Sequence, residues 1–125
     1  MITFNQLLKK KSRIKKKRSN RLRALQGKPM AKGVCQKVYT VSPKKPNSAD
    51  RKVAKIYLST KKTIIAYIPG QGHNLMRYST VMVRAGRTKD LIGLKYKVMR
   101  GKFDLDDEPY GRTRKRSKYG LKKNK

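Results

Sequence analysis

The eight residues Val-Cys-Gln-Lys-Val-Tyr-Thr-Val, at positions 34–41, form a β-type pattern. Even-numbered and odd-numbered residues of this stretch would point to opposite faces of a strand. Cys35 lies inside the pattern, and we expect it to be a small apolar strand residue, as buried thiols usually are. The pattern predicts a first strand that begins at Val34.

Four more short runs rich in β-forming residues follow. They are Lys52–Leu58, Thr63–Ile68, Ser79–Ala85 and Lys95–Met99. The connections carry turn-forming residues, namely Pro43, Pro46-Asn47-Ser48, Pro69-Gly70 through Gly72, Gly86 and Gly93. Five short strands in so small a space suggest a barrel or a sandwich. We expect an all-β domain at residues 31–101, a five-stranded oligonucleotide-binding-type barrel.

The barrel is flanked by two basic segments, residues 1–30 and 102–125. Thr3 and Gln6 have the spacing of a capping box, which predicts a short helix over residues 3–9. Lys9 through Arg23 then hold ten Lys or Arg and no acid. Such a block is either a solvated arm or an arm that becomes ordered between RNA helices, and the overall charge favours the second. The predicted RNA-binding arm residues are Lys9, Lys10, Lys11, Arg13, Lys15, Lys16, Lys17, Arg18, Arg21 and Arg23.

The carboxyl-terminal tail repeats this composition. Arg112–Lys125 contain eight basic residues in fourteen and no acid, with Tyr119 interleaved. Aromatic rings among cations suit stacking on bases, although a tail tyrosine is as often a packing residue. The predicted RNA-binding tail residues are Arg112, Arg114, Lys115, Arg116 and Lys118.

The net charge indicates the class of partner. Thirty-six Lys and Arg against six Asp and Glu give a formal charge of +30 in 125 residues. A compact chain with this charge repels itself unless an anionic partner neutralises it, and nucleic acid offers the densest array of phosphates. A membrane partner is disfavoured, because there is no Trp and no apolar run of bilayer length. Charge alone leaves RNA and DNA both open.

The residues that enzymes and metal sites require are scarce. The chain has one Cys and one His, so it lacks the ligands of a Cys-rich zinc site. Its six carboxylates are scattered or concentrated near residue 106, and none forms an acid–base pair with His73. We therefore expect no enzymatic activity, no metal and no cofactor.

Three connections carry more information than charge. The two prolines of Pro43–Ser48 stiffen a loop whose tip, Asn47 and Ser48, can form hydrogen bonds to sugar edges, although an ordinary turn is the plain alternative. Gly70–Asn74 has two glycines suited to positive φ, but it lacks the Lys-Ser/Thr of a phosphate-binding P-loop, and His73 is expected to form a loop hydrogen bond. In Gly86–Leu91, Asp90 either orients Lys89 or Arg87, or restrains the loop.

These connections, with several other stretches, resemble one protein family, small-subunit ribosomal protein twelve of bacterial and organellar ribosomes. The matching stretches are Thr3-x-Asn5-Gln6-Leu7, Gly33-Val34-Cys35 with Val38-Tyr39-Thr40, Pro43 to Ser48 with Arg51-Lys52, Gly72-His73-Asn74-Leu75, Gly86-Arg87-x-Lys89-Asp90, Arg100-Gly101 and Arg116-Ser117-Lys118-Tyr119-Gly120. They occur in family order along almost the whole chain.

The resemblance implies a structural protein of the small subunit that binds its rRNA and supports decoding accuracy. It implies that Pro46, Asn47 and Ser48 lie against the codon–anticodon helix of mRNA and tRNA at the A site. It also implies that substitutions at Lys44 and Lys89 alter accuracy and streptomycin response, and that Asp90 matches an aspartate modified in some bacteria. Neighbouring ribosomal proteins and elongation factors are the further partners it implies. The decoding residues expected from it are Lys44, Lys45, Pro46, Asn47, Ser48, Arg87, Lys89 and Asp90.

The chain departs from the family pattern at several places. Ile92-Gly93 stand where the family usually has Pro-Gly, and Met76-Arg77-Tyr78 where it usually has Gln-Glu-His, a segment associated with the elongation-factor face. Asp50 replaces an apolar residue or proline, and residues 102–112 match poorly.

The place of synthesis is also an expectation from the resemblance. The match begins at residue 3, which predicts that no import presequence precedes it and that the protein is made where it works. The Lys- and Ile-rich composition and the altered loops favour a mitochondrially encoded copy in a mitochondrial ribosome, with a bacterial or plastid copy as the alternative.

Overall fold

A computed structural model describes residues 1–9, 19, 21–45, 47–106 and 113–123 of the chain. Its strands are β1 (Met30–Val41), β2 (Arg51–Leu58), β3 (Thr63–Tyr67), β4 (Thr80–Ala85) and β5 (Tyr96–Val98). The last four lie within one residue of the predicted runs at each end. The prediction of an all-β, five-stranded barrel is confirmed.

The sheet closes on itself in the order β1-β2-β3-β5-β4, with β4 paired back to β1. All neighbours are antiparallel except β3 and β5, which pair in parallel at Ala66↔Tyr96 and Tyr67↔Lys97. Closure therefore gives each of the five strands two partners and removes the sheet edge.

The first strand begins at Met30, four residues before the predicted start at Val34. The prediction was wrong there because residues 30–33 owe their strand conformation to a distant partner, β4, with which Met30–Val34 pair. Gly33 is required at this crossing, since a Cβ at position 33 would lie 2.5 Å from Cγ2 of Ile56. A β-bulge between Cys35 and Lys37 then shifts the register against β2.

The main core fills the barrel with inward-facing aliphatic residues of all five strands. Ile56, Leu58, Val81, Val83 and Val98 are fully buried. Cys35 is also fully buried, so the prediction of a small apolar strand residue is confirmed. Burial, with a smaller contribution from Asp104, raises the pKa of its thiol from 9.0 to about 11, which keeps it protonated and unreactive at neutral pH.

A second, smaller cluster attaches the β4–β5 connection to the barrel. Val53 and Ala54 are adjacent in β2 and both buried, so their side chains point to opposite faces of the strand. Ala54 joins the main core, whereas Val53 packs with Leu91 and Leu94. The connection that carries Asp90 is thereby held against the outside of the sheet.

The flanking segments are partly described. Helix α1 spans Phe4–Leu8, and Thr3 and Gln6 form both hydrogen bonds of the predicted capping box. A 3₁₀ turn spans Arg23–Leu25, and its residues Ala24 and Leu25 are buried in the main core. A second 3₁₀ turn spans Ser117–Tyr119. Within the described residues, no helix has the length and apolar character needed to cross a membrane.

Candidate nucleic-acid interface

Two connections of the barrel come together on one surface. We name residues 42–50, between β1 and β2, the first loop, and residues 86–95, between β4 and β5, the second loop. The backbone N–H of Lys44 donates to the carbonyl oxygen of Asp90 at 2.8 Å. Residues 44 and 90 were predicted as parts of one site, and the structure brings them into contact.

The carboxylate of Asp90 joins the two loops through side chains as well. Its Oδ1 accepts from Nδ2 of Asn47 at 2.5 Å, and its Oδ2 accepts from an Nη of Arg51 at 2.9 Å. The Arg51 and Asp90 side chains are 32% and 28% exposed, so this is a partly buried ion pair rather than a solvated one. Of the two roles considered for Asp90, restraint of the loop fits, with partners in the first loop and at the start of β2.

The cations of the two loops face outward. Lys44, Lys45, Arg87 and Lys89 are all exposed. Asn47 and Ser48 are exposed beside them, while Pro46 lies outside the described residues. Since Asp90 is paired with Arg51, the surface keeps a strongly positive potential that attracts polyanions.

A groove of about 530 Å³ lies beside the second loop. Its cationic lining is Arg21, Lys44, Arg87, Lys89 and Lys95, and its apolar lining includes Leu22, Leu91, Ile92 and Leu94. Arg21 was predicted as an arm residue, and here it lines the same groove as Lys44, Arg87 and Lys89. Ile92, which stands where the family usually has proline, is 89% exposed at the rim. Cations around an apolar floor can hold both the phosphates and an unstacked base of RNA.

Arg100 joins the segment that follows β5 to the connection between β3 and β4. Arg100 was not assigned to a site from the sequence. Its guanidinium donates to the carbonyl oxygens of Pro69 at 2.7 Å and of Gly72. The two glycines of this turn have positive φ as predicted, +92° at Gly70 and +63° at Gly72. We name these contacts of the Arg100 side chain with the 69–72 turn the Arg100 bracket, and the contacts of the Asp90 carboxylate with Asn47 and Arg51 the Asp90 bracket. Asn74 adds a further link, because its Nδ2 donates to the carbonyl oxygen of Asp104 at 2.9 Å. The sequence signal for Arg100 itself was the resemblance of Arg100-Gly101 to the family pattern.

His73 takes part in this turn as a hydrogen-bonding residue, as predicted. Its Nδ1 accepts from the backbone N–H of Leu75 at 3.2 Å. Burial, and then the charges of Lys52 and Arg100, lower the pKa of the imidazole below 6.5. Among the described residues, no three His, Cys, Asp or Glu side chains lie close enough to hold a metal ion.

The predicted arm and tail residues are described in part. Lys9, Arg21 and Arg23 are exposed, as are Arg114, Lys115 and Lys118 of the tail, whereas Arg116 is half-buried. Lys118 Nζ lies 6.0 Å from the ring centroid of Tyr119. The other predicted residues fall outside the described residues, and they are Lys10, Lys11, Arg13, Lys15, Lys16, Lys17, Arg18 and Arg112.

Comparison with known proteins finds similar sequences over nearly the whole chain. The sequence profile of the family described as ribosomal protein S12/S23 matches residues 8–125. The protein named "Small ribosomal subunit protein uS12m" of Acanthamoeba castellanii is 54% identical over 121 residues, which cover 96% of this chain and 94% of that relative.

Proposed function

Because the chain belongs to the ribosomal protein S12/S23 family, we propose that it binds small-subunit rRNA and supports decoding accuracy at the A site through its first and second loops. The family gives a structural, non-enzymatic component of the small ribosomal subunit. The observation that carries the finer proposal is the Asp90 carboxylate, which joins the Asn47 tip to the loop of Arg87 and Lys89.

The joined loops have the chemistry of a shape reader for RNA. One N–H of the Asn47 amide is held by Asp90, which orients the amide and leaves its carbonyl oxygen available to a ribose hydroxyl or a minor-groove edge. Lys44, Arg87 and Lys89 line one groove, and together with the exposed Lys45 they would contact phosphates. Phosphate contacts position a protein on RNA, and the short polar side chains at the tip discriminate geometry.

The flanking segments serve assembly in this proposal. Residues 1–30 thread between rRNA helices, residues 31–101 form the barrel that presents the loops, and residues 102–125 bind rRNA as a basic tail. The strand order and the parallel β3–β5 pair support an oligonucleotide-binding-type barrel. Contacts with neighbouring ribosomal proteins and with elongation factors, the latter near Met76-Arg77-Tyr78, complete the proposed set of partners.

We further propose that the protein works in a mitochondrial ribosome. The supporting observation is the 54% identity to a relative whose name marks it as a mitochondrial small-subunit protein. An organelle-encoded gene is part of this proposal, and a bacterial or plastid ribosome is the alternative. Fractionation of the native source, followed by immunodetection in purified mitochondria, distinguishes them.

Replacement Lys44→Thr tests the decoding role. Removing this cation from the first loop should change the misreading frequency of a reporter by about threefold, which corresponds to ~0.6 kcal/mol of differential binding. The streptomycin response should change with it. Lys55→Thr, at an exposed strand lysine outside both loops and both flanking segments, is the matched control. Equal accuracy of the two variants would contradict the assigned role of the loop.

The rival function is a nucleic-acid chaperone or DNA-compacting protein that binds by charge alone. Such a protein should dissociate steeply with salt because its affinity comes from counterion release. A component of the small subunit should instead stay with the particle through a high-salt wash. Sedimentation of native ribosomes, with immunodetection of this chain, separates the two functions.

A further inference from the structure

Two like charges stand directly opposite each other on the outer face of the barrel. Arg84 of β4 pairs with Lys97 of β5 across the antiparallel ladder. Their sequence neighbours Val83 and Val98 are fully buried, so Arg84 and Lys97 both point outward. Like charges at directly opposed positions destabilise a sheet. This pair therefore costs stability in the isolated protein.

Lys97 is held in this position by packing. Its Cδ and Cγ lie 3.0 Å and 3.2 Å from where a Cβ of residue 86 would stand, so glycine at that position leaves room for the lysine stem. The side chain is half-buried. Burial, followed by the charges of Arg84 and Lys118, lowers the pKa of its ammonium group below 10.5. The cation is kept close to its repelling neighbours.

The described part of the tail brings the third charge. The turn at Ser117–Tyr119 and the strand pair line a cavity of about 250 Å³ that includes Arg84, Ser117 and Lys118. Lys97 does not line this cavity but lies next to it, as the ladder partner of Arg84. No carboxylate is found among the described residues that line it. Within the described chain, Asp90 is bound to Arg51, and Asp104 accepts from the backbone N–H of Thr80.

We propose that Arg84, Lys97 and Lys118 form a phosphate-binding site that holds a backbone phosphate of rRNA and fastens the tail turn to the barrel. The inference rests on the proposed rRNA binding and adds a site outside the two loops. Arginine offers a planar fork to two phosphate oxygens, and each lysine adds a point charge. The Ser117 hydroxyl is a further donor to the same ligand. A bound phosphate turns the mutual repulsion of the three cations into a shared attraction to one anion.

The test uses the full-length protein and transcribed small-subunit rRNA, with binding measured over a series of KCl concentrations. Lys97→Met retains the stem that packs on Gly86 and removes the charge. It should lower the affinity and reduce the slope of log affinity against log salt by about one, the value for one lost phosphate contact. Lys55→Met, at an exposed lysine of β2 that does not line the cavity and lies outside the arm, the tail and both loops, should lose affinity only slightly. Equal slopes for the two variants overturn the site.

A second readout follows the lysine itself. Acylation of Lys97 by an amine-specific reagent at neutral pH, followed by mass spectrometry, should slow when rRNA is added, because a bound phosphate favours the charged ammonium over the nucleophilic amine. Inorganic phosphate at the same phosphate concentration should slow it much less. Equal slowing with inorganic phosphate would assign the site to a free anion and overturn the rRNA ligand, and no slowing with either overturns the site itself.

Two outcomes keep this inference separate from the proposed function. If the wild-type chain binds rRNA and Lys97→Met binds with an unchanged slope, the phosphate site is wrong and the proposed function stands. If the wild-type chain does not bind rRNA, the proposed function fails first. Should Lys97→Met not fold, Arg84→Met removes another charge of the same site, outside the tail and the two loops, and gives the same expected loss of slope.

Discussion

The two organised surfaces of this barrel are each fixed by one charged side chain, but the charges have opposite signs. At the joined loops, the Asp90 carboxylate accepts from two side chains, Asn47 and Arg51. At the Arg100 bracket, the guanidinium donates to backbone carbonyls of the 69–72 turn. The Asp90 carboxylate binds other side chains, whereas the Arg100 guanidinium binds the backbone of a turn.

The difference teaches how a chain with few acids restrains its loops. Wherever only the backbone needs a partner, an arginine suffices, because five N–H donors can satisfy several carbonyls at once. Where two loops are joined through their side chains, a carboxylate serves, because its two oxygens can each accept from a different donor. Asp90 belongs to the second loop and contacts Asn47 of the first loop and Arg51 at the start of β2. We therefore expect the Arg100 bracket to matter more for stability and the Asp90 bracket more for function.

The largest loss of stability is expected from Arg100→Met. This change leaves carbonyls of the 69–72 turn without their donor, and we expect it to lower the free energy of unfolding by about 2–3 kcal/mol. Chemical denaturation of the purified protein measures it. Arg77→Met is the control, since Arg77 is exposed and stacks over the neighbouring Tyr78 ring at 4.9 Å. A loss no greater than that of the control would remove the proposed asymmetry between the brackets.

A smaller effect on stability is expected from Asp90→Asn. The ion pair with Arg51 is about one-third exposed, so the coupling energy from a double-mutant cycle with Arg51→Gln should be about 0.5–1 kcal/mol. Misreading in the reporter should nevertheless change as it does for Lys44→Thr. If Asp90→Asn unfolds the protein as readily as Arg100→Met while accuracy is unaffected, the comparison is reversed.

Local sequence patterns were enough to locate the elements. The capping box of Thr3 and Gln6 and the positive φ of Gly70 and Gly72 depend on residues close in sequence, and the alternation around Cys35 was enough to predict its place in a strand. The start of β1 was missed because its partner in β4 is about fifty residues away. The same limit applies to the site: Asp90 was singled out, but Arg51, its partner, is 39 residues away in sequence. Arg100 was missed because its partners are backbone carbonyls, which leave no trace in the side-chain sequence.

The smallest effect on stability is expected from acidification, which acts on His73 in the turn that Arg100 contacts. The pKa of His73 is lower in the folded chain than its ordinary value of 6.5, so below that pH the unfolded chain binds the proton more readily and stability falls. Protonation also removes the hydrogen bond that Nδ1 accepts from Leu75. Denaturation at pH 7, 6 and 5 should show a modest decline. His73→Asn should abolish it, since His73 is the single histidine; a persistent decline would point to another group.

Strand β1 pairs with β2 on one side and with β4 on the other, and this has a consequence for biosynthesis. A nascent chain that has emerged only as far as residue 79 can form the β1–β2–β3 meander, but β1 still presents an unsatisfied edge. Such edges recruit other chains, and pairings between distant segments form slowly. The interval before β4 and β5 emerge is therefore when this polypeptide is most prone to aggregate, and early contact with RNA would shorten the exposure.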